Sequence, residues 1–135
     1  MPFLKAWLPV IVWVALILTA ANDTLSADTT ADWLELLLGR RPPAVNFTLR
    51  KTAHVVEYAI LALLAWRARR TLVIPLLIVL ATAIADETLQ AFTQMRTGSP
   101  FDVLLDLCGG ILALLVIPAV RARLSSRRTV RGRNV

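Results

Sequence analysis

The sequence predicts an all-α integral membrane protein, a four-helix bundle with an extracytoplasmic amphipathic helix or loop between the first two spans. Three observations lead there. Of the 135 residues, 57% are hydrophobic, against roughly 45–50% in an ordinary soluble domain. The apolar residues arrive in four blocks, about 3–21, 52–66, 72–92 and 101–120, and a span needs about 20 such residues. The basic residues behind the formal net charge of +6 flank those blocks, as membrane topology requires. The length suits one membrane domain, 1–120, with a basic tail over 121–135.

The first block, from Phe3 to Ala21, has Lys5 at its start and the small residues "TAAN" at its end. A secretory signal shares that outline. The run is long for a signal, and Trp7 and Trp13 suit a permanent interface anchor and a packed helix. A retained span is therefore expected.

A polar stretch, "NDTLSADTTADWLELLLGRRPPAVNFTLR", follows. Asp28 or Thr29 can cap a short helix there, with Asp32 in its first turn and Gly39 at its end. Trp33, Leu34, Leu36, Leu37 and Leu38 give it an apolar side that suits a membrane surface or the flank of the bundle. "RRPP" is expected to stop any helix.

The second block, 52–66, is short for a span, so Arg50, Lys51 and Arg67 must snorkel to the interfaces. The third and fourth blocks are long enough without help. "RARR" follows the second block and "RARLSSRRTVRGRN" the fourth. The positive-inside rule puts both in the cytoplasm, with the N-terminus beside them. The expected location is the bacterial cell (inner) membrane. The basic tail is expected to be disordered or to lie on anionic lipid.

With this topology the polar residues of the spans gather in the outer half. Lys51, His54 and Tyr58 recur at three and four residues, one helical stripe. Asp86 and Glu87 pair with Gln90, and Asp102, Asp106 and Gly109 or Gly110 repeat similarly. Arg96 lies in the loop between them. Ionisable residues inside a membrane face the protein interior or water, so the three stripes should converge on one cleft. Acids outnumber bases there, so a carboxylate is expected to be protonated or to meet a cation or cationic ligand. "SPFD" (Ser99–Asp102) also reads as a capping box with proline at the first helical position.

Some classes are excluded. His54 and Cys108 are the only histidine and cysteine, so an internal disulfide cannot form and a Cys/His metal centre lacks partners. Neither a metal nor another cofactor is expected. No nucleic-acid-binding fold accompanies the basic charge. Membrane lipids are the expected partners. Polar residues do not continue into the cytoplasmic half, so no transport path is visible.

The stretches "KTAHVVEYAILALL" and "DETLQAFTQMRTGSPFDVLLDLCGG" closely resemble the VanZ-like membrane proteins. That family shows Lys and His ahead of Tyr on one helix, then an Asp-Glu pair, Gln and Arg, and an Asp leading to Asn or Asp before Gly. Here these fall on Lys51, His54, Tyr58, Asp86, Glu87, Gln90, Arg96, Asp102, Asp106 and Gly109. Asp106 stands where Asn is frequent, which adds a negative charge. The family's name comes from a member linked to glycopeptide (teicoplanin) resistance. The resemblance implies location and architecture more firmly than chemistry.

Three functions follow as expectations. The cleft binds a polar envelope ligand: a lipid headgroup, a cell-wall precursor or a glycopeptide antibiotic. Alternatively the protein is an intramembrane enzyme on a lipid-linked substrate, with His54, Asp86 or Glu87 as general base and Arg96 or Lys51 holding an anionic group. In the third reading the charges are structural and the protein acts through partners.

Overall fold

A computed structural model describes residues 2–21, 32, 35–37, 39, 43–92 and 99–132, with the backbone alone at 2, 43, 46, 118 and 120–132. Four helices account for nearly all of it: α1 (Pro2–Ala20), α2 (Pro43–Ala68), α3 (Val73–Ala91) and α4 (Pro100–Gly132). No strand occurs among the described residues.

Among the described residues, three segments are long and apolar enough to cross a membrane: Phe3–Ala20, Val73–Ala91 and Pro100–Ile117. Their outer faces leave Leu8, Ile11, Leu16, Leu77, Ile84, Leu104, Leu112 and Leu115 exposed. Aliphatic surface on that scale is what lipid, and not water, would cover. Exposed hydroxyls on these surfaces are satisfied within their own helices. Thr19 Oγ1 donates to Ala15 O at 2.8 Å, and Thr88 Oγ1 to Ile84 O at 2.6 Å. The chain is an all-α membrane protein.

α2 is the exception and the centre. It carries Arg50, Lys51, Glu57 and Arg67 and does not meet the composition of a span. It is nevertheless the helix against which α1, α3 and α4 all pack. Tyr58, Leu61, Ala62 and Ala65, at helical spacing, are wholly buried. Its length corrects the short second block. At 26 residues and about 1.5 Å per residue it reaches roughly 39 Å. The element begins earlier because Pro43 opens it. Proline at the first helical position loses no hydrogen bond and arrives with a helical φ, so "RRPP" ends in a start.

The bundle's register is fixed by small residues. A Cβ on Gly109 would sit 2.8 Å from Val55 O and 3.2 Å from Val55 Cα. α4 therefore touches the backbone of α2, the close approach that glycine permits between membrane helices. On the same turn Gly110 faces Val79 of α3 and Ala62 of α2. α1 is tied on by Trp13, whose indole N–H donates to Glu57 O at 3.0 Å.

α4 continues through Gly132, past the expected span end at 120. Leu, Ala and Arg are good helix formers, so the expected disordered tail is helical as far as it is described. In the stretch between α1 and α2, Gly39 adopts φ +66° and its amide bonds Glu35 O at 2.8 Å. That is the left-handed stop expected of a helix-ending glycine. Leu36 and Leu37 are exposed. Asp28, Thr29, Trp33, Leu34 and Leu38 lie outside the described residues.

Candidate functional site

Contacts between helices show how they run. Lys51 meets Asp102, His54 meets Asp106, and Val55 meets Gly109. Residue numbers rise together on α2 and α4, so these helices are parallel. α3 runs against both, with Tyr58 of α2 bonding Asp86 near its C-terminal end. The first half of α2, the last turns of α3 and the first turns of α4 therefore share one end of the bundle.

Polar residues gather at that end. Asp86, Glu87, Gln90 and Asp106 are all buried, and Asp106 is 0% exposed. His54 lies against Asp106, its Nδ1 3.3 Å from Oδ1. The contact lacks the alignment of a hydrogen bond, and both atoms remain without such a partner. The imidazole stacks on the Tyr58 ring, with centroids 6.4 Å apart and planes 14° apart. Tyr58 in turn donates its hydroxyl to Asp86 Oδ2 at 3.2 Å.

Lys51 marks the rim. It forms an ion pair with Asp102, and its Nζ lies 5.4 Å from the Phe47 ring centroid. Both partners are partly exposed. Beneath them, His54, Asp86, Glu87 and Asp106 each offer a donor atom, all within 4.8 Å of one another. Intramembrane carboxylates this close need a counter-charge, a proton or water to be tolerated.

Two residues behave differently from the capping-box reading. Asp102 reads both as the cap of α4 in a box with Ser99 and as a site carboxylate opposite a base such as Lys51. Its carboxylate takes Lys51, while the Ser99 amide donates to Glu87 Oε2 at 2.6 Å. The Asp102 amide closes the first turn on Ser99 O at 2.9 Å. An ionised partner on α2 competes better for a carboxylate than a local amide does. The Ser99 backbone is a participant that sequence reasoning missed, since a main-chain donor leaves no residue-type signal. Arg96 lies outside the described residues.

The remaining sequence-derived candidates come together: Lys51, His54, Tyr58, Asp86, Glu87, Gln90, Asp102 and Asp106 all sit at this end. Chemically, the cluster offers one imidazole and three carboxylates beside an ion pair. The set suits cation binding, proton transfer or recognition of a polar group.

A family model described as VanZ/LLP1 matches residues 6–121. No curated protein and no solved structure matches the chain.

Proposed function

This chain belongs to the VanZ/LLP1 family, and from that membership we propose that it binds a polar envelope ligand in a recess at the outer end of its helices. The ligand is a lipid headgroup, a cell-wall precursor or a glycopeptide. The observation that carries the reading is the buried quartet His54, Asp86, Glu87 and Asp106 beneath the partly exposed Lys51–Asp102 pair. Ionisable side chains inside a membrane are by default functional. An acid–base rim above a buried polar floor recognises a group with both charge and hydrogen-bonding capacity.

The orientation follows from charge. Arg67, Arg69 and Arg70 close α2, and the arginines after Val120 extend α4. Both basic ends belong in the cytoplasm of a bacterial cell with the N-terminus, and α2 crosses with its neighbours. The polar end then opens outward.

The test is binding by protein reconstituted in nanodiscs, measured by native mass spectrometry. The probes are phosphatidylglycerol, an undecaprenyl-linked cell-wall precursor and teicoplanin. Lys51→Met and Asp86→Asn should each weaken retention of the ligand that wild type holds. Equal retention by wild type and both variants removes the reading. Teicoplanin susceptibility of cells with and without the protein tests the resistance link.

The 3.3 Å approach of His54 to Asp106 favours a second reading, an intramembrane enzyme. A carboxylate beside an imidazole is the arrangement that orients a general base. Purified protein that converts a lipid-linked substrate, and loses that activity as His54→Ala and Asp86→Asn, would favour catalysis over binding. Loss of folding in every site variant, with no separate loss of binding or turnover, would favour a structural role.

A further inference from the structure

We infer that His54, Asp86, Glu87 and Asp106 form a binding site for one first-row divalent cation, Mn2+ or Zn2+. The sequence argument against a metal rested on the scarcity of cysteine and histidine. Oxygen ligands need neither. One imidazole and three carboxylates fit a cation that accepts both nitrogen and oxygen.

The geometry is that of a ligand set. Around one ion at about 2.1 Å from each donor, donors lie roughly 3.4 Å apart in a tetrahedron and about 4.2 Å apart across an octahedron. The four side chains offer donors all within 4.8 Å of one another. Small side-chain rotations close that difference. The donors come from three helices, so the ion would also fasten α2, α3 and α4 together.

A second observation, the hydrogen bonding of these side chains, points inward as well. Asp106 is fully buried, yet neither of its carboxylate oxygens has a hydrogen-bond partner. Glu87 Oε1 and His54 Nδ1 are buried without one as well. Buried polar atoms are otherwise almost always partnered. His54 Nδ1 and Asp106 Oδ1 face each other at 3.3 Å, while Asp106 Oδ2 and Glu87 Oε1 have no partner; an ion drawn among them would engage all four.

The surroundings have the form of an outer shell. Tyr58 holds Asp86 by one oxygen. The Ser99 amide holds Glu87 by Oε2, which leaves Oε1 for the centre. Metal-ligating carboxylates are commonly fixed in this way by a hydrogen bond from behind. Lys51 is engaged by Asp102. A dication would supply positive charge where three carboxylates meet in a low-dielectric setting.

The ion would occupy the same buried quartet that floors the proposed ligand recess, but its binding needs only the chain's own residues and no envelope ligand. The two meet at one point: open positions on the ion would accept an anionic oxygen of a headgroup.

The experiment uses the full chain in detergent, stripped with a chelator and dialysed against Mn2+ or Zn2+ without added lipid. Wild type should retain about one ion per chain, and the ion should raise its unfolding temperature. Asp106→Asn should lower affinity by roughly tenfold or more, and Asp106→Asn/Glu87→Gln should abolish retention. Cys108→Ser should bind like wild type. X-ray absorption of the Zn2+-loaded wild type should show nitrogen and oxygen ligands, including one imidazole. Three results would overturn the inference: no retained ion with either metal, unchanged affinity in the double variant, or a sulfur ligand in the absorption spectrum. Because the absorption measurement uses wild type, a variant that fails to fold leaves the test intact. Ion retention without lipid binding, or the reverse, separates this inference from the proposed function.

Discussion

His54 Nδ1 stands 3.3 Å from Asp106 Oδ1, joining α2 to α4 one turn deeper than the ion pair of Lys51 with Asp102. The two contacts form a ladder because the helices are parallel and in register. The close passage at Val55 and Gly109 sets that register.

Gly109→Ala should therefore be costly. Its Cβ would lie 2.8 Å from a backbone oxygen of α2, and backbone cannot swing aside as a side chain can. The expected loss is about 1–3 kcal/mol, read by thermal unfolding in detergent. Gly110→Ala meets only the Val79 methyls at 3.2 and 3.3 Å, with the Ala62 Cβ at 3.5 Å, and should be milder. A Gly110 variant less stable than the Gly109 variant would contradict this packing.

Tyr58→Phe removes the hydrogen bond that the phenol donates to Asp86 Oδ2. A buried acceptor loses its donor, at a cost of about 1–3 kcal/mol. The double variant Tyr58→Phe/Asp86→Asn should lose less than the two single losses summed, because the partners act together. Strict additivity in that cycle would show that they do not.

Trp13→Phe keeps an aromatic ring on α1 and deletes the N–H that reaches Glu57 O. The expected change is about 0.5–1.5 kcal/mol for the lost bond, plus a small packing term. Proteolysis of the α1–α2 connection in native membranes should become faster in the variant. An unchanged rate and an unchanged unfolding temperature would mean that α1 is held by other contacts.

Orientation can be read with single cysteines in a Cys108→Ser background. Ser126→Cys should react with a membrane-impermeant maleimide only after cells are opened, and Ser26→Cys should react on intact cells. Both outcomes are those the positive-inside rule predicts for the proposed orientation. Labelling of Ser126→Cys on intact cells would invert the whole arrangement.

Much of the site is legible in spacing. The three-and-four repeat of Lys51, His54 and Tyr58 puts them on one stripe, and the loop charges set which stripes share an end. What is not legible has physical reasons. Pro43 reads as a breaker from one side and a starter from the other, which hides seven residues of α2 ahead of Arg50. Asp102 satisfies a local cap pattern and is one of four carboxylates that Lys51 could meet, and the folded contact selects it. The Ser99 amide is invisible to any residue-type argument. Counting cysteine and histidine suits soft metal sites and overlooks a quartet made mostly of carboxylates. Arg96 and most of the stretch between α1 and α2 fall outside the described residues.

The helix that the other three enclose is also one that falls short of a span's composition, and that has a consequence for biogenesis. A nascent segment bearing Arg50, Lys51, His54 and Glu57 partitions poorly from the translocon into lipid by itself. If it crosses as proposed, it would depend on α3 and α4 to receive it. Its insertion would then come late in translation, and a chain that ends before Pro100 would hold α1 and α3 in the membrane with α2 unreceived between them.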